Sequence, residues 1–150
     1  MTQTMRVTIW FGTPSIDDAN VKRPGTMIEY LGIEFTELTD EALIGRMPVD
    51  HRTRQPAGVL HGGASVVLAE TLASWAATFA VDRERFHCVG MEINANHLRP
   101  VADGWVRGEA RPIAIGRTTH VWEIRITNDD GKLVCISRCT MAVLAVPSQY

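Results

Sequence analysis

The amino-acid sequence predicts a single α+β domain in which one buried helix is followed by an antiparallel sheet. Three observations support this prediction: a long apolar stretch from His61 to Val81, strand-like segments mostly after it, and short links between those segments. Short links join antiparallel neighbours, because parallel strands require a long crossover. A helix that is apolar on nearly every side needs a sheet that curls round it, or a partner subunit that completes its cover.

Two short helices are predicted before the first strands. Pro14 favours the first turn of a helix that continues to Asn20. Thr26 and Glu29 have the spacing of a capping box, and Gly32 is placed where that second helix would end. A hairpin of residues 33–38 and 42–49 follows, then a loop over residues 50–60. After the long helix, strands are predicted at 88–98, 105–115, 119–127 and 133–146.

The composition is typical of one folded domain. The chain has 150 residues, 45% of them hydrophobic and 21% charged, which suits a globular protein of ordinary domain size. Its formal net charge of −2 provides no basic field for nucleic acid or acidic lipid. We therefore expect one domain over residues 1–150, with residues 1–25 as an N-terminal extension that holds a short helix, and no nucleic-acid or membrane partner.

The cysteines and the N-terminus indicate a cytoplasmic protein. The chain has three cysteines, an odd number, and Cys135 and Cys139 are too far apart on a strand to form a disulfide. Residues 1–13 lack the continuous apolar core of a signal peptide. The apolar stretch 62–81 carries a carboxylate at its centre, which disfavours a membrane span. We expect reduced thiols and a cytoplasmic location.

Glu70 is the residue best suited to chemistry. It is the only ionisable residue between His61 and Asp82, and burying a carboxylate on an apolar helix is costly unless the group is used or paired. Ser74 follows one helical turn later, so its hydroxyl shares that face and can hold a water or the carboxylate. The alternative is a structural ion pair between Glu70 and an arginine of the sheet or of another subunit.

The start of the same helix is suited to bind developing negative charge. Gly62 and Gly63 allow close approach to the backbone, where the free N–H groups of a helix N-terminus favour an oxyanion. Gln55 and His61 can donate hydrogen bonds to a carbonyl. The alternative for the two glycines is that they are needed only for a tight helix start. The alternative for Gln55 and His61 is that they are solvated surface residues, and for His97 that it is a polar residue satisfied at a strand end.

Several other chemistries lack their sequence patterns. The five histidines show no close metal-ligand spacing, and Cys135 and Cys139 have no matching second pair. The chain has no Gly-x-Ser-x-Gly motif, P-loop or dinucleotide-binding fingerprint. We expect neither a metal nor a cofactor.

The run QPAGVLHGGASVVLAE at residues 55–70, within the segment 50–70, and the run VGMEINANH at residues 89–97 together resemble the hotdog-fold acyl-CoA thioesterases. Within that superfamily the chain is similar to the 4-hydroxybenzoyl-CoA thioesterase-like branch, and most of all to the 1,4-dihydroxy-2-naphthoyl-CoA thioesterases. The resemblance covers roughly Ile33 to the end. It implies a long central helix wrapped by a curved antiparallel β-sheet, and a homodimer, often paired again as a dimer of dimers, with active sites at the dimer interface.

The resemblance also implies roles for individual residues. Glu70 matches the nucleophile or general base, and Ser74 matches the hydroxyl that positions the water or the carboxylate. Gln55, His61 and the Gly62 amide match the groups around the thioester carbonyl. His97 matches a residue near the acyl ring. The expected substrate-binding positions, including those for the pantetheine arm and nucleotide of coenzyme A, are Gly63, Gly90, His97, Gly116, Arg117 and Thr118.

The expected function is hydrolysis of acyl-CoA thioesters, with an aromatic acyl group favoured and coenzyme A as part of the substrate. One alternative is a hotdog dehydratase or hydratase. The dehydratase pattern has its histidine well upstream of the helical glutamate, near where this chain has Gln55, whereas the histidine here is His61. The other is a non-catalytic acyl-CoA-binding hotdog protein, which has no need for Glu70 beside the thioester. Met91, Trp75 and Phe79 can shape an apolar pocket, although a core role is expected for Trp75 and Phe79.

Overall fold

The predicted order of helices and strands is confirmed by a computed structural model, which describes residues 7–147. Residues 1–6 of the predicted N-terminal extension and residues 148–150 lie outside the described part. The bounds are α1 Ile16–Asn20, α2 Met27–Tyr30, β1 Glu34–Leu38, β2 Leu43–Pro48, α3 Gly62–Phe79, β3 Phe86–His97, β4 Trp105–Ile115, β5 Thr119–Asn128 and β6 Leu133–Ala145.

The six strands form one antiparallel sheet in the order β1-β2-β4-β5-β6-β3. Strand β5 shows why the alternation in the sequence is informative, because Trp122, Ile124 and Ile126 are fully buried against the helix side while Arg125 is exposed. Register shifts interrupt four of the five strand pairings. Such bulges bend strands, which lets the sheet curve around α3.

Helix α3 approaches the sheet closely because two strands present glycine beneath it. A Cβ atom added at Gly108 would lie 2.5 Å from Leu72 Cδ1, and one added at Gly45 would lie 2.9 Å from Leu72 Cδ2. The absence of side chains at these positions leaves room for the buried Leu72 side chain. This packing fixes the height and rotation of α3 on the sheet.

The sheet covers α3 on one side only. Residues such as Leu68, Leu72 and Ala76 are fully buried, but a stripe of the helix remains half-buried, formed by Val67, Glu70, Thr71, Ser74 and Trp75. The expected burial on every side is therefore incomplete in a single chain. The sheet does not enclose α3 completely in the described chain. The half-buried stripe therefore remains available to a ligand or a partner subunit.

The two short helices differ in detail from their predictions. Helix α1 begins at Ile16 with Ser15 as its N-cap, so Pro14 precedes the helix rather than occupying its first turn. At α2, the Glu29 carboxylate accepts from the Gly25 N–H at 2.7 Å instead of closing a capping box with Thr26.

The segment before α1 packs against the C-terminal end of α3. The indole of Trp10 stacks on Trp122, with ring centroids 6.2 Å apart, and meets Phe79 edge-on. The Phe11 N–H donates to the Phe79 carbonyl at 2.8 Å. No helix within residues 7–147 has the length and apolar character that crossing a bilayer requires.

Candidate active site

Glu70 lies on the half-buried stripe of α3, where its carboxylate faces strand β3. A Cβ atom added at Gly90 would lie 2.7 Å from Glu70 Oε1, so the carboxylate occupies the space that a side chain would fill. No lysine, arginine or histidine of residues 7–147 forms an ion pair with Glu70. Within the described chain the carboxylate is therefore not held as part of a structural ion pair.

Ser74 and Met141 complete the surroundings of this carboxylate. Ser74 follows Glu70 by one turn, and its hydroxyl lies 4.0 Å from Met141 Sδ. Met141 is paired with Gly90 across the sheet. The Ser74 hydroxyl has therefore only a weak sulfur acceptor near it and remains available to a water or a substrate. We call Glu70, Ser74 and Gly90 the carboxylate cluster.

We predict that Gly90→Ala lowers kcat by about ten- to a hundredfold while leaving the melting temperature nearly unchanged. The added methyl group would displace the flexible end of Glu70, and a misplacement of about 1 Å is enough to cost that much in rate. Stability should change little, because the added methyl group displaces only the end of the Glu70 side chain and leaves the core atoms in place. The measurement is steady-state kinetics with a thermal melt. Val89→Ala, at the neighbouring exposed position, is the control, and a Gly90→Ala rate within twofold of wild type would contradict the prediction.

The start of α3 holds a second group of predicted residues. His61 is the N-cap, and its Nδ1 accepts from the Gly63 N–H at 2.8 Å. In the neutral imidazole the proton then resides on Nε2, which can donate to a ligand. The Gly63 N–H is occupied by this cap, whereas the Gly62 N–H has no acceptor within the described residues. The free amide donor at the helix start is that of Gly62.

His97 and Gln55 lie beside the Gly62 amide. A Cβ atom added at Gly62 would lie 2.7 Å from His97 Nε2, so the imidazole lies directly on the helix start. Both side chains line one cavity of about 350 Å³ with Gly62 and Ser65. The Gln55 Oε1 accepts from the Ala57 N–H, which leaves the Gln55 NH₂ group to donate to a ligand. We call Gln55, His61, Gly62 and His97 the helix-start cluster.

The two clusters cannot act together within one chain. Gly62 and Glu70 are eight residues apart on α3, which corresponds to about 12 Å along the axis. A reacting carbonyl must lie about 3 Å from both its polarising donors and the attacking group. A single thioester therefore cannot contact the Gly62 amide and the Glu70 carboxylate of the same helix.

The remaining predicted residues lie at the C-terminal end of α3. Gly116 and Arg117 line a cavity of about 250 Å³ together with Arg85, Phe86 and His120. Asp82 also lines this cavity, but the two arginines leave it with a net positive charge, which together with the apolar walls suits an anionic ligand with a flat or apolar part. Thr118 is adjacent but is not part of this lining, and its carbonyl accepts from the Val143 N–H at 2.9 Å.

The sequence reasoning missed Arg85 and His120 in this cavity. His120 is only 1% exposed, and burial lowers its pKa, which favours the neutral imidazole. Its Nδ1 has no hydrogen-bond partner within the described residues. The available signal was a lone histidine on the buried face of β5, where every other inward side chain is apolar.

The cysteines are poor nucleophiles. Burial raises the pKa of the Cys88 thiol to about 11, and burial together with the charges of Glu70 and Glu92 raises that of Cys139 to about 12. These thiols stay protonated near neutral pH and therefore lack the reactive thiolate. Within residues 7–147, no cluster of three or more histidine, cysteine or acidic side chains could hold a metal ion.

A curved six-stranded antiparallel sheet packed on one long helix is the architecture of the hotdog fold. The chain belongs to the thioesterase superfamily, whose family description matches residues 57–135. It is thus an enzyme of the thioesterase class with the hotdog fold, as the sequence predicts.

Named relatives carry related activities. The protein shares 44% identity over 136 residues with the 1,4-dihydroxy-2-naphthoyl-CoA hydrolase of Escherichia coli, covering 91% of this chain and 99% of that one. It shares 46% identity over 136 residues with the proofreading thioesterase EntH of Cronobacter turicensis, covering 91% and 98% of the two chains.

Solved structures of related proteins agree in fold. A glutamine-to-alanine variant of thioesterase PA1618 from Pseudomonas aeruginosa is 50% identical, with a TM-score of 0.91 over 93% of this chain and 100% of that one. SAV0944 from Staphylococcus aureus has been solved as a glutamate-to-alanine variant, at 36% identity, TM-score 0.78 and coverage of 81% and 100%. It has also been solved as a glutamine-to-alanine variant, at 37% identity, TM-score 0.75 and coverage of 78% and 97%.

Proposed function

We propose that the protein hydrolyses acyl-CoA thioesters that carry an aromatic acyl group, with Glu70 as the catalytic carboxylate. The observation that carries the proposal is the Glu70 carboxylate itself, which has no ion-pair partner within residues 7–147 and lies against a strand position that lacks a side chain. A carboxylate kept on the accessible stripe of an otherwise apolar helix is suited to attack or to proton transfer.

The helix-start cluster polarises the thioester carbonyl. The Gly62 N–H and the Gln55 NH₂ group donate to the carbonyl oxygen, which becomes an oxyanion as the nucleophile adds. The partial positive charge at the start of α3 stabilises the same oxygen. His61 donates from Nε2 on the rim of this site, and His97 lies against the acyl ring.

Glu70 supplies the attacking oxygen by one of two routes. As a nucleophile, it adds to the carbonyl carbon and expels coenzyme A thiolate, and water then hydrolyses the mixed anhydride. As a general base, it takes a proton from a water that Ser74 holds while the water oxygen adds to the carbonyl carbon, and the tetrahedral intermediate then expels the thiolate. Thiolate is a good leaving group, so neither route requires a dedicated strong acid.

The proposed site combines two copies of the chain. Because Gly62 and Glu70 of one helix are about 12 Å apart, we propose that the helix-start cluster of one subunit meets the carboxylate cluster of another. Strand β3 is an edge strand of the sheet, with Val89 and Met91 exposed to 41% and 64%. An edge of this kind favours pairing with a second sheet, in a homodimer or a dimer of dimers.

Coenzyme A is proposed to follow the edge of the sheet towards the C-terminal end of α3. The backbone at Gly90 is the predicted contact of the pantetheine arm. Arg85 and Arg117 outnumber Asp82 in the lining of the second cavity and provide positive charge for phosphate groups. Gly63, Gly116 and Thr118 remain predicted contacts of the substrate. No cofactor is proposed. The free thiols suit a reducing compartment, so we propose the cytoplasm as the location.

Two findings on relatives support this proposal. The Escherichia coli relative is named for an aromatic acyl-CoA. The two SAV0944 variants replace a glutamate and a glutamine that are 15 positions apart, and Gln55 and Glu70 have the same separation in this chain. The glutamine and glutamate proposed here thus have the same spacing as a pair that has been substituted in a related protein.

The proposal is tested by measuring free coenzyme A with a thiol-reactive dye. The substrates are benzoyl-, 4-hydroxybenzoyl-, 1,4-dihydroxy-2-naphthoyl- and decanoyl-CoA. We expect release from all the aromatic substrates, with higher kcat/KM than for decanoyl-CoA. Thermal stabilisation by acyl-CoA without any release would instead identify a binding protein, and faster release from decanoyl-CoA would overturn the aromatic assignment.

A further inference from the structure

A cavity of about 320 Å³ lies next to the Glu70 carboxylate and is formed by two elements that are distant in sequence. One wall is the half-buried stripe of α3, which contributes Glu70, Ser74 and Trp75 to the lining. The other wall is the single turn of α2, which contributes Met27 and Ile28. Apart from Glu70 and the hydroxyl groups, the lining is apolar.

The position of this cavity matches the acyl side of the thioester. A substrate carbonyl attacked by Glu70 must lie about 3 Å from its carboxylate, so the acyl group continues from there to the nearest apolar surface. On one side of the carboxylate is Gly90, which offers backbone and no side chain. On the other side are Met27, Ile28 and Trp75. The apolar acyl group therefore belongs on the α2 side.

The chemistry of the walls suits a flat ring. The indole of Trp75 is held by Phe35 and Phe79, with ring centroids 6.0 and 5.5 Å away, so its orientation is fixed. A fixed indole face favours offset stacking with an aromatic group. The thioether of Met27 is flexible and makes favourable contacts with aromatic rings. Met27 is nevertheless 62% exposed, so it has little packing role of its own.

Helix α2 is anchored firmly enough to act as a wall. Ile28 packs partly buried against the core. The Arg52 side chain donates from Nη1 to the Tyr30 carbonyl at 3.1 Å and pairs with Asp50 at 2.7 Å. These bonds join the end of α2 to the loop that carries Gln55.

We propose that α2 determines acyl specificity, with Met27 and Ile28 closing an aromatic acyl pocket over Trp75. The proposal rests on the proposed thioesterase function and adds a specificity element on α2, which lies before the residues 57–135 that the family description matches. Small acyl groups do not reach this pocket, whereas ring-bearing acyl groups fill it.

The test compares kcat/KM for acetyl-CoA and 2-naphthoyl-CoA in wild type, Met27→Ala and Met27→Trp. Removing most of a side chain from an apolar pocket is expected to lower kcat/KM for the naphthoyl substrate about tenfold, mainly through KM, and to leave the acetyl substrate within twofold. Met27→Trp fills the pocket and is expected to lower the naphthoyl rate at least as much. Tyr30→Ala is the matched control, because Tyr30 is on the same helix, is 69% exposed and does not line the cavity.

The outcomes separate this inference from the proposed function. If wild type hydrolyses 2-naphthoyl-CoA but both Met27 variants keep the wild-type naphthoyl-to-acetyl ratio, the pocket assignment is wrong and the thioesterase assignment stands. If Tyr30→Ala shifts the naphthoyl-to-acetyl ratio as much as Met27→Ala does, α2 acts only through its fold, and the assignment of Met27 to the acyl pocket is wrong. If wild type releases coenzyme A from neither substrate nor from the wider panel, the proposed function and the inference fall together.

Discussion

Glu70→Gln is expected to reduce kcat for aromatic acyl-CoA hydrolysis at least a hundredfold. Glutamine preserves the size of the side chain but can neither attack the carbonyl nor accept a proton from water, and loss of such a group costs about 10²- to 10⁴-fold. KM should change little, because the acyl pocket and the coenzyme A contacts remain. The measurement is steady-state release of coenzyme A from benzoyl- or 1,4-dihydroxy-2-naphthoyl-CoA.

The same substitution should leave the fold intact. The carboxylate is half-buried and has no ion-pair partner within the described residues, so its removal strands no buried charge. We expect the free energy of unfolding to change by less than about 0.5 kcal/mol. Glu37→Gln, at an exposed position on β1, is the control for loss of one charge. A Glu70→Gln rate above about one tenth of wild type would show that another group performs the chemistry.

Co-expression of Gln55→Ala with Glu70→Gln is expected to restore activity that neither variant has alone. If each site takes Gln55 from one subunit and Glu70 from another, random assortment regenerates a fully intact site at one quarter of all positions. The restored rate should therefore approach about a quarter of wild type, against at most about a hundredth for Glu70→Gln alone. The measurement is specific activity of the co-purified subunits, with equal expression verified by mass spectrometry.

A matched pair tests the geometry of this restoration. Ser74 belongs to the same cluster as Glu70, so co-expression of Ser74→Ala with Glu70→Gln regenerates no intact site and should give only the mean of the separate activities. Restoration by the first pair and not by the second assigns the two clusters to different subunits. Failure of the first pair, with both variants folded and associated, would show that the site lies within one chain.

Features that depend on neighbouring residues were predictable from the sequence. The alternation of β5 placed Trp122, Ile124 and Ile126 on the buried face, and the turn at residues 128–131 ends with Gly131 at a φ of +74°. The apolar run of α3 also marked Glu70 as its lone ionisable residue. Strand alternation, turn chemistry and helix-forming composition are local, so they remain visible in a linear chain.

Local patterns gave wrong details at the starts of α1 and α2, where more than one nearby group can form the cap hydrogen bond. The spacing of Thr26 and Glu29 predicts a capping box, yet the Glu29 carboxylate takes the Gly25 N–H instead. Pro14 favours a first helical turn, yet the helix begins two residues later, after the Ser15 cap. Such choices differ by small free energies, because each option satisfies one hydrogen bond at a chain end.

The sequence by itself determined the fold class, the order of the elements and the identity of Glu70 as the candidate for chemistry. Only the tertiary structure decided that Gly90 makes room for the Glu70 carboxylate, that His61 rather than a ligand takes the Gly63 N–H, and that the predicted residues lie in separate places. It alone placed Met27 of α2 beside Trp75 of α3. The physical reason is that these contacts join residues far apart in the chain, whose distances are set by how α3 packs on the curved sheet and not by any local pattern.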